Sequence, residues 1–285
     1  MKKLIFIISI ILLQATFLNA FSLRLDVDAL KNNLSKYKII DTRDANSYSL
    51  GHIPNAINFP VSLTYEHQSI NGKLTSPLKM QKIIQNLGLR EKEKIVIYDD
   101  GSFFDAARLF WALEVYGFNH VKLLNSGYKQ WIKRGLAVST SHTPIQKSDY
   151  IAIVNNKRLA TKFTTQIATK NPNQLIIDAR NNKSYIGKAS SAKRFGHIPK
   201  ALNIPATHNI NYNKELVELK GLSALQDLYK QLDKKKKIVI YCAIGKISAT
   251  NYFALRELGY DVSNYDASWK EWGNDFKLPI ITITK

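Results

Sequence analysis

Short, unbroken apolar runs recur along this chain, each followed by a polar loop and then an amphipathic stretch. Ile95-Val96-Ile97-Tyr98 and Ile238-Val239-Ile240-Tyr241 are continuous, rich in β-branched residues and bounded by polar ones. Runs without alternation suit strands buried on both faces, as in a parallel sheet. Beyond the first, Ala106, Leu109, Phe110 and Leu113 fall on one helical face. Beyond the second, Ala249, Phe253, Leu255 and Leu258 form a broad apolar face. Gly117 and Gly259 are placed to end these helices, since a helix C-terminus commonly closes on a left-handed residue. Strand, loop and helix in repetition predict α/β units, each a mainly parallel sheet with helices on both faces.

The pattern occurs twice. Ile39-Ile40-Asp41-Thr42-Arg43 recurs as Ile176-Ile177-Asp178-Ala179-Arg180, and Gly51-His52-Ile53-Pro54 as Gly196-His197-Ile198-Pro199. Each is followed by a similar stretch, 56–60 and 201–205. Ser126-Gly127-Tyr128-Lys129-Gln130-Trp131 recurs as Ala267-Ser268-Trp269-Lys270-Glu271-Trp272. The order is kept at an offset of about 140 residues, which means duplication of one unit. The 285 residues, 45% of them hydrophobic, suffice for two ordinary cores. The units are read as residues 26–138 and 174–285. Between them, 139–173 is a linker that opens on a turn-rich polar cluster. An extended stretch at 150–154 and a short helix before Asn171-Pro172-Asn173 are expected within it.

The N-terminus differs from both units. Met1-Lys2-Lys3 is basic, residues 4–13 are apolar apart from Ser9, and the stretch to Ala20 turns more polar. This has the form of a secretory signal over 1–20, cleaved near Ala20. The alternative is an uncleaved anchor, but the run falls short of the roughly 20 apolar residues a spanning helix needs. Export is therefore expected, into the periplasm if the cell is Gram-negative, with no stable membrane anchor after cleavage. Lys and Arg exceed Asp and Glu by a formal net charge of +19. The lysines are dispersed and no arginine-rich arm or nucleic-acid motif is present, so no nucleic-acid partner is expected. The charge gives a field that draws in small anions. No Cys/His cluster has metal-ligand spacing and no glycine-rich phosphate loop appears, so neither metal nor cofactor is expected.

An exported protein of this size often carries disulfides. This one has a single cysteine, Cys242, and so no internal disulfide. Cys242 directly follows the second apolar strand and precedes Ala243, Ile244, Gly245, Lys246, Ile247 and Ser248, with a helix starting near Ser248. In parallel α/β sheets ligands gather at the C-terminal strand ends. A tight strand-to-helix loop turns backbone N–H groups inward over a helix N-terminus, and both favour an anion. Such a setting favours the thiolate, which is the nucleophilic form. Gly245 lets the loop curve. Lys246 supplies a cation there or points to solvent. Ser248 caps the helix or touches the ligand. The matching residue of the first unit is Asp99, with Asp100 beside it. A carboxylate is no sulfur nucleophile, so the first unit is expected to be inactive and to cover one wall of the cleft.

Taken together, the Asp-x-Arg after a strand, Gly-His-Ile-Pro in both halves, Tyr241-Cys242-x-x-Gly245 before a helix, and Asn264 to Gly273 near the C-terminus are specific. From about Asp26 to Lys285 the chain resembles the tandem-domain rhodaneses, the thiosulfate and 3-mercaptopyruvate sulfurtransferases. The resemblance implies two rhodanese-like domains, the second catalytic. It implies two-step transfer, in which a small anionic sulfur donor leaves a persulfide on Cys242 and a thiophilic acceptor such as cyanide or a thiol takes it. By the same resemblance Arg180 binds the anionic donor, Arg43 pairs with a carboxylate, and the backbone of 243–248 cradles the outer sulfur. Ala243 and Ile244 match neither the thiosulfate nor the mercaptopyruvate pattern. Tyr185-Ile186-Gly187 lacks the arginine that precedes the glycine in mercaptopyruvate enzymes, which favours thiosulfate. A cysteine phosphatase would need arginine where Ser248 stands. A carrier that hands persulfide sulfur to a partner protein would use the same Cys242. His52 and His197 are read as structural, because one lies in the unit without cysteine. Trp131, Trp269 and Trp272 are expected at the domain interface or beneath the cleft.

Overall fold

The computed structural model describes residues 22–67, 71–212 and 216–283. The leader read at 1–20 lies outside them. Five strands form the first sheet: β1 (Arg24–Leu25), β2 (Lys38–Asp41), β3 (Ala56–Asn58), β4 (Ile95–Tyr98) and β5 (Val121–Leu124). The second holds β6 (Leu159–Ala160), β7 (Gln174–Asp178), β8 (Ala201–Asn203), β11 (Lys237–Tyr241) and β12 (Val262–Tyr265). A separate ribbon pairs β9 (Ile210–Tyr212) with β10 (Val217–Leu219). The two sheets have the same order, β1-β5-β4-β2-β3 and β6-β12-β11-β7-β8, and every pairing within them is parallel. The duplication seen in the sequence is thus a duplication of topology.

The repeated motifs turn out to be a structural clasp. In the first domain Asp41 receives Arg43 at 2.6 Å and the Tyr98 hydroxyl at 2.7 Å, while Arg43 Nη2 donates to Gly51 O at 2.7 Å. In the second, Asp178 receives Arg180 at 2.6 Å and Tyr241 at 2.6 Å, and Arg180 Nη2 donates to Gly196 O at 2.7 Å. Tyr98 and Tyr241 in turn accept from Ile53 N and Ile198 N, both at 3.1 Å. Each clasp ties the end of one strand to the entry of the next, with a buried carboxylate at its centre. The histidines belong to the same construction. His52 stacks on Tyr48 and His197 on Tyr185, with centroids 3.8 Å apart in both, and each Nδ1 meets the carbonyl of the tyrosine it stacks on.

Helices Phe104–Val115 and Ser248–Glu257 follow the two central strands and pack on each other across the domain boundary. Phe110 meets Phe253 edge to face at 4.9 Å, and Glu114 accepts from Tyr252 Oη at 2.5 Å and Arg256 Nη2 at 2.9 Å. Each helix covers its own sheet on one side and the partner helix on the other. That double burial explains why both read as broadly apolar.

The boundary of the second domain changes. Much of the stretch read as linker belongs to the second domain: β6 pairs with β12, and helix Lys162–Lys170, closed by a Thr161/Thr164 capping box, packs against β7. The tryptophans, read as lying at the domain interface or beneath the cleft, sit in the domain cores, Trp131 in the first and Trp269 and Trp272 in the second, with Trp269 N donating to Cys242 O.

Candidate active site

Cys242 follows β11 directly and is 1% exposed. Its backbone is held from both sides: N donates to Ser268 Oγ at 3.1 Å, and O accepts from Trp269 N at 3.0 Å. The loop beyond it has every carbonyl turned outward and engaged. Ala243 O accepts from Lys270 N, Lys246 O from Ala249 N and Ile247 O from Thr250 N, at 3.0, 3.1 and 3.0 Å. Ile244 O and Gly245 O accept from the guanidinium of Arg108, at 3.4 and 3.1 Å. Among the described residues, no acceptor meets the N–H groups of 243–248. Outward carbonyls with free N–H groups make a nest for an anion, closed below by the N-terminus of helix Ser248–Glu257.

Gly245 is what lets the loop close. Its φ is +69°, and a β-carbon there would lie 2.5 Å from Asp266 O. Ser248 turns its hydroxyl toward the cysteine rather than to the helix cap. Its Oγ lies 3.3 Å from Cys242 Sγ and 2.8 Å from Asn264 Oδ1, and it makes no capping bond. Asn264 is oriented by its own donation to Gly245 O at 3.1 Å. A hydroxyl has one proton. Given to Asn264, it leaves Oγ as acceptor for the thiol; turned to Sγ, it stabilises a thiolate or persulfide. Around the sulfur, Ala179, Ala206, Ile247 and Phe104 make an apolar collar, with Phe104 contributed by the first domain.

Two predicted contributors are engaged by protein carboxylates. Arg180 is a clasp residue, buried on Asp178 and Gly196 and lying 4.4 Å over the Trp269 ring. Burial works against its charge, but the Asp178 hydrogen bond and charge more than offset this and raise it above the ordinary arginine value. Its Nη1 is also buried and finds no acceptor. It thus shares the clasp role that the sequence reading assigned to Arg43 alone, with Nη1 left over from the clasp. Lys246 neither lies free in solvent nor covers Cys242. It bridges to Asp105 of the first domain at 2.5 Å. Both line a cavity of about 380 Å³ at the first domain's strand ends, beside Arg43, Asp99 and Asp100.

The Rhodanese-like domain family matches this chain twice, at residues 26–134 and 160–275. The chain belongs to the rhodanese-like family. It is 28% identical to the 3-mercaptopyruvate sulfurtransferase of Escherichia coli K12, over 84% of this chain and 86% of that protein. It is 27% identical to a putative thiosulfate sulfurtransferase of Haloferax volcanii, over 89% and 92%. The crystal structure of SseA from Escherichia coli superposes with a TM-score of 0.77 at 26% identity, covering 87% of this chain and 99% of that one.

Within this tandem rhodanese the first domain keeps the loop but fills it with its own side chain. Asp99 is buried where Cys242 stands in the second domain. Its carboxylate accepts from Gly101 N at 2.9 Å, and from Ala106 N and Ser102 Oγ, both at 3.3 Å. Burial, with the charge of Asp100, pushes its pKa up to about 6. The nest that is open in the second domain is thus occupied in the first. Several residues at the rhodanese site escaped sequence reasoning. Ser268, Asn264 and Asp266 lie in the C-terminal segment quoted for the resemblance but had no role assigned. Arg108 stands alone as a charge in Ala106-Ala107-Arg108-Leu109-Phe110-Trp111, and that isolation was the available signal.

Proposed function

We propose that this rhodanese is a sulfurtransferase that takes the outer sulfur of thiosulfate onto Cys242 and delivers it to a thiophilic acceptor. The observation that carries the reading is the open nest of N–H groups around a lone, buried thiol. The Cys242 thiolate attacks the outer sulfur; the S–S bond of thiosulfate breaks and its electron pair leaves with sulfite. The products are a persulfide anion and sulfite, with charge conserved. Cyanide or a thiolate then takes the terminal sulfur and returns the Cys242 thiolate. The N–H groups of 243–248 offer hydrogen bonds to the terminal sulfur where negative charge gathers, as donors aimed at developing charge do in acyl transfer. Ser248 adds a hydroxyl donor to Sγ, and the apolar collar keeps water from competing. Lys246 is paired with Asp105, and Ile186 stands where an arginine would. Both observations favour thiosulfate over 3-mercaptopyruvate. The leader supports export of the chain, checked by fractionation of cells producing it.

The test pairs both donors with intact-mass detection. Thiosulfate is expected to add about 32 Da, one sulfur atom, faster than 3-mercaptopyruvate does. The folded Cys242→Ala protein should neither gain this mass nor turn over. Turnover near wild type in that variant would end the assignment. Faster loading by 3-mercaptopyruvate would change the donor. Saturable transfer only to a protein acceptor would make the chain a carrier.

A further inference from the structure

Arg108 lies on helix Phe104–Val115 of the domain without a thiol, yet its guanidinium serves the loop of the other domain. It is fully buried. Nε donates to Thr64 Oγ1 at 3.0 Å, Nη2 to Gly72 O at 2.9 Å, and Nη1 to Gly245 O at 3.1 Å and Ile244 O at 3.4 Å. Its plane lies 3.6 Å from the Tyr65 ring centroid. Every hydrogen-bond acceptor is neutral, and no carboxylate among the described residues reaches ion-pair distance. A buried, unpaired cation is costly, so its surroundings must supply negative charge. Burial pushes the guanidinium down, and the groups that oppose this are Tyr65, Asp266, Cys242 and Asp105. Of these, Cys242 alone sits within the loop whose carbonyls Arg108 holds. The repeat is asymmetric here. Arg108 stands nine residues beyond Asp99, and nine beyond Cys242 the second domain has uncharged Asn251. The fit is close on the same side: a β-carbon on Gly72 would lie 1.8 Å from Ile244 O.

We propose that Arg108 is a positioning residue for sulfur transfer, supplied in trans by the non-catalytic domain. It pins the carbonyls of Ile244 and Gly245 outward, so that the loop N–H groups face the sulfur, and it provides the buried positive charge that balances thiolate and persulfide. This rests on Cys242 as the sulfur carrier, and it gives the thiol-free domain a function beyond covering the cleft.

The test uses the full chain, in which Cys242 is the sole cysteine and every thiol signal reports on it. Arg108→Met is expected to slow single-turnover persulfide formation from thiosulfate by about 100-fold, comparable to losing an oxyanion donor. Its iodoacetamide alkylation rate is expected to fall about tenfold. Arg108→Lys keeps the charge and loses the fork. Its alkylation rate should stay near wild type while persulfide formation drops about tenfold. Persulfide formation within twofold of wild type in folded Arg108→Lys would overturn the positioning role, and that variant decides the matter if Arg108→Met does not fold. A wild-type alkylation rate in folded Arg108→Met would overturn the charge-balancing role. Alkylation needs no sulfur donor, so these outcomes are separate from failure of the sulfurtransferase reading, which would show as turnover in Cys242→Ala.

Discussion

Gly245→Ala separates backbone strain from loop geometry. At φ +69° an L-residue bears the left-handed penalty, about 1–2 kcal/mol. The added β-carbon would also lie 2.5 Å from Asp266 O and 3.1 Å from Asp266 Cα, backbone atoms with no flexible end to move aside. Relief to an ordinary contact requires the loop or the Asp266 segment to retreat by about half an ångström or more, which changes the aim of the N–H groups at Cys242. Misplacement of about 1 Å costs up to roughly 10²-fold in rate. The expected result is a folded protein about 2 kcal/mol less stable, with sulfite release from thiosulfate and cyanide reduced roughly 30- to 100-fold. Gly135→Ala is the control. Its φ is +62°, and nothing lies within 4 Å of the added carbon. It should cost about 1 kcal/mol and leave turnover unchanged. Urea denaturation and steady-state rates on the two variants decide the point. Wild-type turnover in folded Gly245→Ala would refute the view that the loop works as a held nest.

Two further outcomes follow from the same structure. Asp99 has its folded pKa raised to about 6 by burial, so the stability it contributes is present below its unfolded value near 3.8 and is lost as pH rises through 6. Asp99→Asn should therefore flatten the pH dependence of urea stability between about pH 4 and 7, an effect of up to roughly 3 kcal/mol, while sulfur transfer stays near wild type; collapse of turnover would show that the first loop takes part in the chemistry. Arg180→Met strands a buried carboxylate and should cost about 3–5 kcal/mol in a denaturation titration, as should Arg43→Met in the matching clasp. An unchanged stability together with a raised thiosulfate KM would instead return Arg180 to the donor site.

Much of the fold was legible because burial on both faces writes itself into local sequence. The runs at 95–98 and 238–241 fall on β4 and β11, and Gly117 and Gly259 take positive φ just past their helices, +90° and +80°. Cys242 was placed from its position after a strand. The same symmetry that argued His52 and His197 into structural roles applies to Arg43 and Arg180, and the sequence reading gave the clasp to Arg43 alone. Lys246 was left between the site and solvent. It is close to Cys242 in sequence, but the turn into the helix carries its side chain to Asp105 of the other domain.

By itself, then, the sequence determined the duplicated α/β units, the strand that ends at Cys242 and the carboxylate, Asp99, at the matching position of the first unit. These are properties of periodicity and of position within one repeat, set by backbone geometry over a few residues. Only the tertiary structure decided which groups surround the sulfur. Arg108 and Phe104 reach the loop of Cys242 because two helices bury their second faces against each other, and Gly72 reaches it from the segment before helix Pro77–Asn86. That packing joins residues far apart in the chain, and nothing in the local pattern of either one encodes the meeting.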